Sequence, residues 1–169
     1  MDKTGKLNKV SRIFEAPLEL LSGIFLLLIL TFVFSEVISR YLFAASHGFM
    51  EEFSRWFQIW IAYLMLGVIE KRRRHIAIDI LPGRLSGKYK SILMIIISMM
   101  NLIVAVFLGW AGIELIELLR QTGVLSQTNI PTPMWIVRIC VPLGAAFLAF
   151  FSIEHLIVDI RSIIMHKKE

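Results

Sequence analysis

Leu20-Leu21-Ser22-Gly23-Ile24-Phe25-Leu26-Leu27-Leu28-Ile29-Leu30-Thr31-Phe32-Val33-Phe34-Ser35 contains no charged residue and is apolar at almost every position. The run does not alternate, so it does not read as a half-buried strand. Extended from 17 to 39, it reaches the length that crosses a bilayer core as a helix, about 20 residues at 1.5 Å each. Its end, with Ser35, Glu36 and Arg40, does not resemble a small-residue cleavage site, so the segment reads as a retained span and not as a signal peptide.

Three further segments repeat the pattern. Trp56 to Ile69 is uncharged, and the span containing it is taken as 49–70, with Arg55 shortening its clean core. Residues 91–113 form an unbroken apolar stretch. The uncharged run from Ile139 to Ile153 lies within a fourth span, 134–158. Backbone groups in lipid are satisfied only by helices or closed barrels, and continuous apolar runs select helices. The expected fold is therefore an all-α integral membrane protein, one domain over 1–169 with four transmembrane helices.

Composition agrees. Of 169 residues, 57% are apolar and 18% charged, and mean hydropathy is +0.73, far from the balance of a soluble domain. This excludes a disordered chain, a collagen and a disulfide-stapled secreted module. The net charge of +5 is explained by topology and not by nucleic acid, because the basic residues lie between the apolar runs. Fourteen of the 18 Lys and Arg fall before span one, between spans two and three, or after span four; Arg40, Arg55, Arg120 and Arg138 fall on the other side. The positive-inside rule then places both termini and the central loop in the cytoplasm. An even number of spans requires both ends on one side, and the charges agree.

The central loop carries His75-Ile76-Ala77-Ile78-Asp79-Ile80-Leu81 before Pro82-Gly83. Half-apolar segments of this kind lie along membrane surfaces, so a short interfacial helix is expected. Lys71, Arg72, Arg73 and Arg74 are candidates for anionic lipid headgroups, at about 1 kcal/mol per charge; the plainer reading is a topology anchor.

Charges inside hydrocarbon are costly and usually mark ion pathways. Glu19, Glu36, Arg55, Glu114, Arg138 and Glu154 all fall within a few turns of an expected span end, and no span has an acid at its centre. That argues against a self-sufficient proton-coupled carrier. Helical spacing predicts local pairs instead: Glu36 with Arg40, Glu51 or Glu52 with Arg55, and Glu117 with Arg120. They neutralise charge at the interface or reach across to other helices or a partner. His47, His75, His155 and His166 lie near or outside span ends, so haem ligation within the helices is not expected. His75/Asp79 and His155/Asp159 are two-residue sets, too few for a metal. Cys140 sits in an apolar run as a packing residue. Neither a phosphate loop nor a nucleophile elbow is present, and no catalytic residue, cofactor or metal is expected. Gly109, Gly112, Gly144, Ala145 and Ala149 are small residues suited to close helix packing.

A set of short motifs then carries a resemblance. Ser39-Arg40-Tyr41-Leu42-Phe43, Glu51-Glu52-Phe53-Ser54-Arg55, Trp60, Gly67, His75-Ile76-Ala77-Ile78-Asp79, Ile130-Pro131, Trp135 and Pro142-Leu143-Gly144, in this order and on four spans, resemble the small permease subunit of TRAP transporters, the DctQ family, over roughly residues 10 to 160. Phe49-Met50 stands where the family often has Trp. The resemblance implies a subunit of a bacterial inner-membrane system in which a periplasmic binding protein (DctP type) captures an organic anion and a large sodium-coupled elevator subunit (DctM type) carries it. The small chain would be a non-catalytic scaffold for the large one. A sialic acid, as in the SiaQ type, or a C4-dicarboxylate is the expected cargo. Arg40, Glu51, Glu52, Arg55, Trp60, His75, Asp79, Pro131, Trp135, Pro142 and Gly144 are the candidate interface or structural residues, and the loops 47–52 and 121–135 are candidate contacts for the binding protein. Other readings are a small autonomous transporter, which needs an essential intramembrane acid, and a respiratory membrane anchor, which needs intrahelical histidines.

Overall fold

A computed structural model describes residues 3–45, 47–72, 88–126 and 130–166, with side chains for 15–45, 47–72, 92–126 and 130–160. The expected interfacial segment 75–81, with His75 and Asp79, lies outside the described residues, as do Arg73 and Arg74. The described chain is helical: α1 Lys3–Phe43, α2 Gly48–Lys71, α3 Lys88–Thr122, the short α4 Met134–Arg138, and α5 Cys140–His166. Among the described residues, three segments are long and apolar enough to cross a membrane: Glu15–Phe43, Ile92–Thr122 and Met134–Ile160. α2 is 24 residues long, but Arg55, Gln58, Glu70 and its aromatic amphiphiles make it less apolar than the other three.

The helices pack as a row, α1 against α2, α2 against α5, and α5 against α3, with only slight contact between α1 and α5. α1 and α3 run opposite to α2 and α5. Phe25 of α1 stacks on Phe57 (5.0 Å between ring centroids), whereas Glu15, earlier in α1, meets Arg72 beyond the end of α2. The beginning of α1 and the end of α5 therefore come to one end of the row, called here the basic end. The other is the turn end, where Ala44, with a φ of 48°, and His47 join α1 to α2.

Two glycines set the central spacing. A Cβ on Gly144 of α5 would collide with the carbonyl oxygen of Tyr63 in α2 and stand 2.8 Å from its carbonyl carbon. One on Gly67 of α2 would stand 2.7 Å from Phe147 Cβ. Backbones that approach this closely gain dispersion contacts that lipid tails cannot match. On the other side of α5, Gly112 of α3 seats against Val141 and Pro142. The core lies along this seam, with Leu64, Val68, Ala105, Cys140, Ala145 and Phe151 all buried.

The expected span 134–158 is one segment with a defect. Ile139 interrupts it between α4 and α5, bonding back only three residues to the Ile136 carbonyl (3.3 Å). Pro142 accounts for this: it has no N–H to offer Arg138, and its ring crowds that carbonyl. α3 continues past 113 to Thr122, where Gly123, with a φ of 63°, ends it in the left-handed conformation. The chain then turns through Ser126 N–H to the Thr132 carbonyl (2.9 Å) and Met134 N–H to the Val124 carbonyl (3.1 Å).

Candidate functional site

At the turn end, Glu36 is the organising group. Its carboxylate accepts the backbone N–H of His47 at 3.0 Å and pairs with Arg40 at 3.4 Å. Ser39 Oγ lies 3.2 Å from His47 Nδ1. One helical turn of spacing thus holds the Arg40 guanidinium at the mouth, and the backbone satisfies the acid that would otherwise be left in an apolar wall. Arg40, Glu36, Tyr41 and Glu51 line one cleft of about 350 Å³. Glu51 pairs with Arg55 along α2.

Glu52 points elsewhere and accepts the Ser126 hydroxyl, tying α2 to the loop after α3. Glu52 and Arg55 line a second cleft of about 360 Å³ with Val124, Leu125, Ser126 and Met134. The neighbouring acids Glu51 and Glu52 therefore serve two different clefts. The expected Glu117–Arg120 pair does not form. Arg120 instead lies over the Trp135 ring, 5.4 Å from its centroid, and Glu117 receives Gln121. An exposed charge pair gains little in water, whereas an indole face offers both packing and a quadrupole.

The remaining sequence candidates are scattered. Trp60 is edge-on to Phe25 at 6.2 Å inside the α1–α2 aromatic block. Pro131 is exposed in the loop. Pro142 and Gly144 are helix-packing positions, far in character from a binding site.

At the basic end, Lys71 is not spread on the surface. Its ammonium is 3.0 Å from Glu154, with both side chains about nine-tenths buried, and 6.0 Å from the Phe151 ring centroid. Arg72 bonds Glu15 at 2.7 Å and also pairs with Glu19. The Glu15 hydrogen bond, then the charge of Glu19, outweigh desolvation and raise the guanidinium above its ordinary range, so the charge is held throughout the physiological pH range.

Sequence reasoning missed a polar knot beside this pair. Glu70 is 3% exposed. Its carboxylate accepts Asn101 Nδ2 of α3 at 2.7 Å and Ser152 Oγ of α5 at 3.3 Å, and His155 Nε2 lies 3.1 Å from its backbone carbonyl. Three helices meet at one acid. The signal available in the sequence was Asn101, an amide in the middle of an otherwise apolar run, where an unbonded polar group is costly.

The sequence matches a family model over residues 10–162, that of the tripartite ATP-independent periplasmic transporters, DctQ component. The chain belongs to the DctQ family. This DctQ component is 26% identical over 153 residues to a TRAP transporter small permease protein of Haemophilus influenzae, covering 89% of this chain and 92% of that one. It is 27% identical over 162 residues to the isethionate TRAP transporter permease protein DctMQ of Oleidesulfovibrio alaskensis, covering 94% of this chain but 25% of that longer protein. Membership makes this DctQ chain a membrane component of a transporter.

Proposed function

We propose that this chain is the non-transporting small subunit of a TRAP system, a fixed brace for a large DctM-type permease. The observation that carries this reading is how the polar groups are used. Glu70, Asn101, Ser152, Lys71 and Glu154 bond to one another across helices, so their polar groups are spent on ties between helices. A carrier needs a solvated polar centre and broken helices at mid-membrane, while a brace needs helices locked in register. The DctMQ relative, in which a segment of this kind is part of a longer permease polypeptide, supports a large permease as the partner.

In this reading α2 is the fourth crossing, protected from lipid by α1 and α5. Both chain ends and the basic end face the bacterial cytoplasm, and the protein is a multi-pass component of the inner membrane. The turn end faces the periplasm, where the clefts around Arg40, Glu51, Glu52 and Arg55 meet a DctP-type binding protein. The cargo is an organic acid anion, a sialic acid or C4-dicarboxylate, moved by sodium coupling in the large subunit. Lys71 and Arg72 act as internal ties, leaving Arg73 and Arg74 for headgroups.

Reconstitution tests this. Vesicles with the small chain alone should take up no labelled anion, vesicles with both permease subunits and the binding protein should, and omission of the small chain should abolish uptake. Uptake by the small chain alone refutes the proposal. Tags at the two termini should both be inaccessible from outside intact cells; one accessible tag removes the four-crossing topology.

A further inference from the structure

The row has open faces on both outer helices, and their charges are treated differently. On α1, Glu15 and Glu19 hold Arg72, and Glu36 holds Arg40 and the His47 N–H. The narrow open strip of α2 carries Glu51 and Arg55, paired with each other, and the neutral Gln58. α3 is different. Its outward face runs through Phe107, Trp110, Ile113 and Leu118, each more than half exposed, and Glu114 lies on it, exposed. Glu114 has no hydrogen bond or ion pair among the described residues.

Position makes that carboxylate unusual. Glu114 lies about 12 Å before the end of α3 at Thr122, by helical rise. Gly112, half a turn away, is already inside the packed seam with Val141 and Pro142. Glu114 falls within the apolar segment Ile92–Thr122, on a face of exposed apolar side chains that includes Phe107, Trp110 and Ile113. An uncompensated charge on a lipid-facing helix surface is strongly disfavoured. The same carboxylate facing a cation on another helix is compensated, and the apolar residues around it supply the dry surround that strengthens the pair.

Resting on the DctQ-subunit reading above, we infer that the outward face of α3 centred on Glu114 docks a membrane-spanning helix of the large permease that presents a Lys or Arg to Glu114, and that the outward face of α1 faces lipid.

The test uses the chain co-expressed with its large permease, carrying a photo-crosslinking residue at Phe107 or Ile113 on α3, or at Leu27 or Phe34 on α1. The α3 positions should give covalent adducts with the permease and the α1 positions adducts with lipid. Glu114→Leu should lower the permease retained in co-purification about tenfold or more, because it strands the partner's buried cation, while Glu114→Gln, which keeps a hydrogen-bonding group, should lower it less. Thermal melting of the isolated chain should be unchanged by either substitution. Permease adducts from α1 in place of α3, lipid adducts from Phe107, or full retention by Glu114→Leu would overturn the inference and leave the subunit assignment standing. A wild-type chain that retains no permease removes both.

Discussion

Replacing Gly144 by alanine adds one methyl group against a backbone that cannot yield. The new Cβ would stand 2.8 Å from the Tyr63 carbonyl carbon and 2.9 Å from Tyr63 Cβ, with the carbonyl oxygen nearer still. Ordinary contact begins at 3.4 Å, so α2 and α5 must separate by about 0.6 Å or more. The obstacle is main chain inside a regular helix, so rotamer change offers no relief. The separation also loosens Gly67 against Phe147 and stretches the Ser152–Glu70 hydrogen bond, already 3.3 Å. Overpacking of this kind costs about 1–3 kcal/mol, and the backbone obstacle puts the expectation near 2 kcal/mol. That is a fall of about 4–8 °C in the melting temperature for a chain of this size. Two internal controls make the assay decisive. At Gly109 the added Cβ would meet only Ala145 Cβ at 3.6 Å, and at Gly23 nothing lies within 4 Å. Melting in detergent, followed by size-exclusion of heated samples, should rank Gly144→Ala well below wild type, with the two controls at or slightly above it. If Gly144→Ala melts with wild type, or if Gly109→Ala falls as far, the close α2–α5 approach is not what holds the row together.

Three other substitutions probe the remaining ties. Glu70→Ala should cost about 2–3 kcal/mol by stranding the Asn101 and Ser152 donors, and adding Asn101→Leu and Ser152→Ala should recover part of it; a triple variant no better than Glu70→Ala in melting would show that the knot is not acting through unpaired donors. Ala44→Gly should stabilise by about 1 kcal/mol, since only alanine's Cβ is strained at that left-handed φ, and an unchanged or lower melting temperature would contradict it. Ser126→Ala should leave melting nearly unchanged but raise amide exchange around Val124 and Leu125, because it frees the loop from Glu52; unchanged exchange would mean the backbone turn alone fixes the loop.

Much of the architecture was legible because hydrocarbon is an exacting solvent: Leu20–Ser35 and Ile92–Ile113 admit little but a helix. The local charge pairs Glu36–Arg40 and Glu51–Arg55 were legible for the same reason, since i,i+4 spacing brings them together without knowledge of any other helix. Glu117 and Arg120 show the limit of that rule, because Arg120 found the Trp135 ring from across a loop. The polar knot was less legible. Glu70 reads as the last acid of a span and Asn101 as an isolated amide, and their residue numbers say nothing of a shared depth.

The sequence alone determined that the chain is helical, that the stretches within Glu15–Phe43, Ile92–Thr122 and Met134–Ile160 are apolar enough for a bilayer, and the family to which they belong, because each depends on near neighbours and on the solvent. The order of helices in the row, the seating of Gly144 on Tyr63, the gathering of Glu70, Asn101 and Ser152, and the solitary position of Glu114 were decided only by tertiary structure. Those depend on rotation and depth of one helix against another, and such distances are set by which side chains are small enough, or polar enough, to meet across the chain.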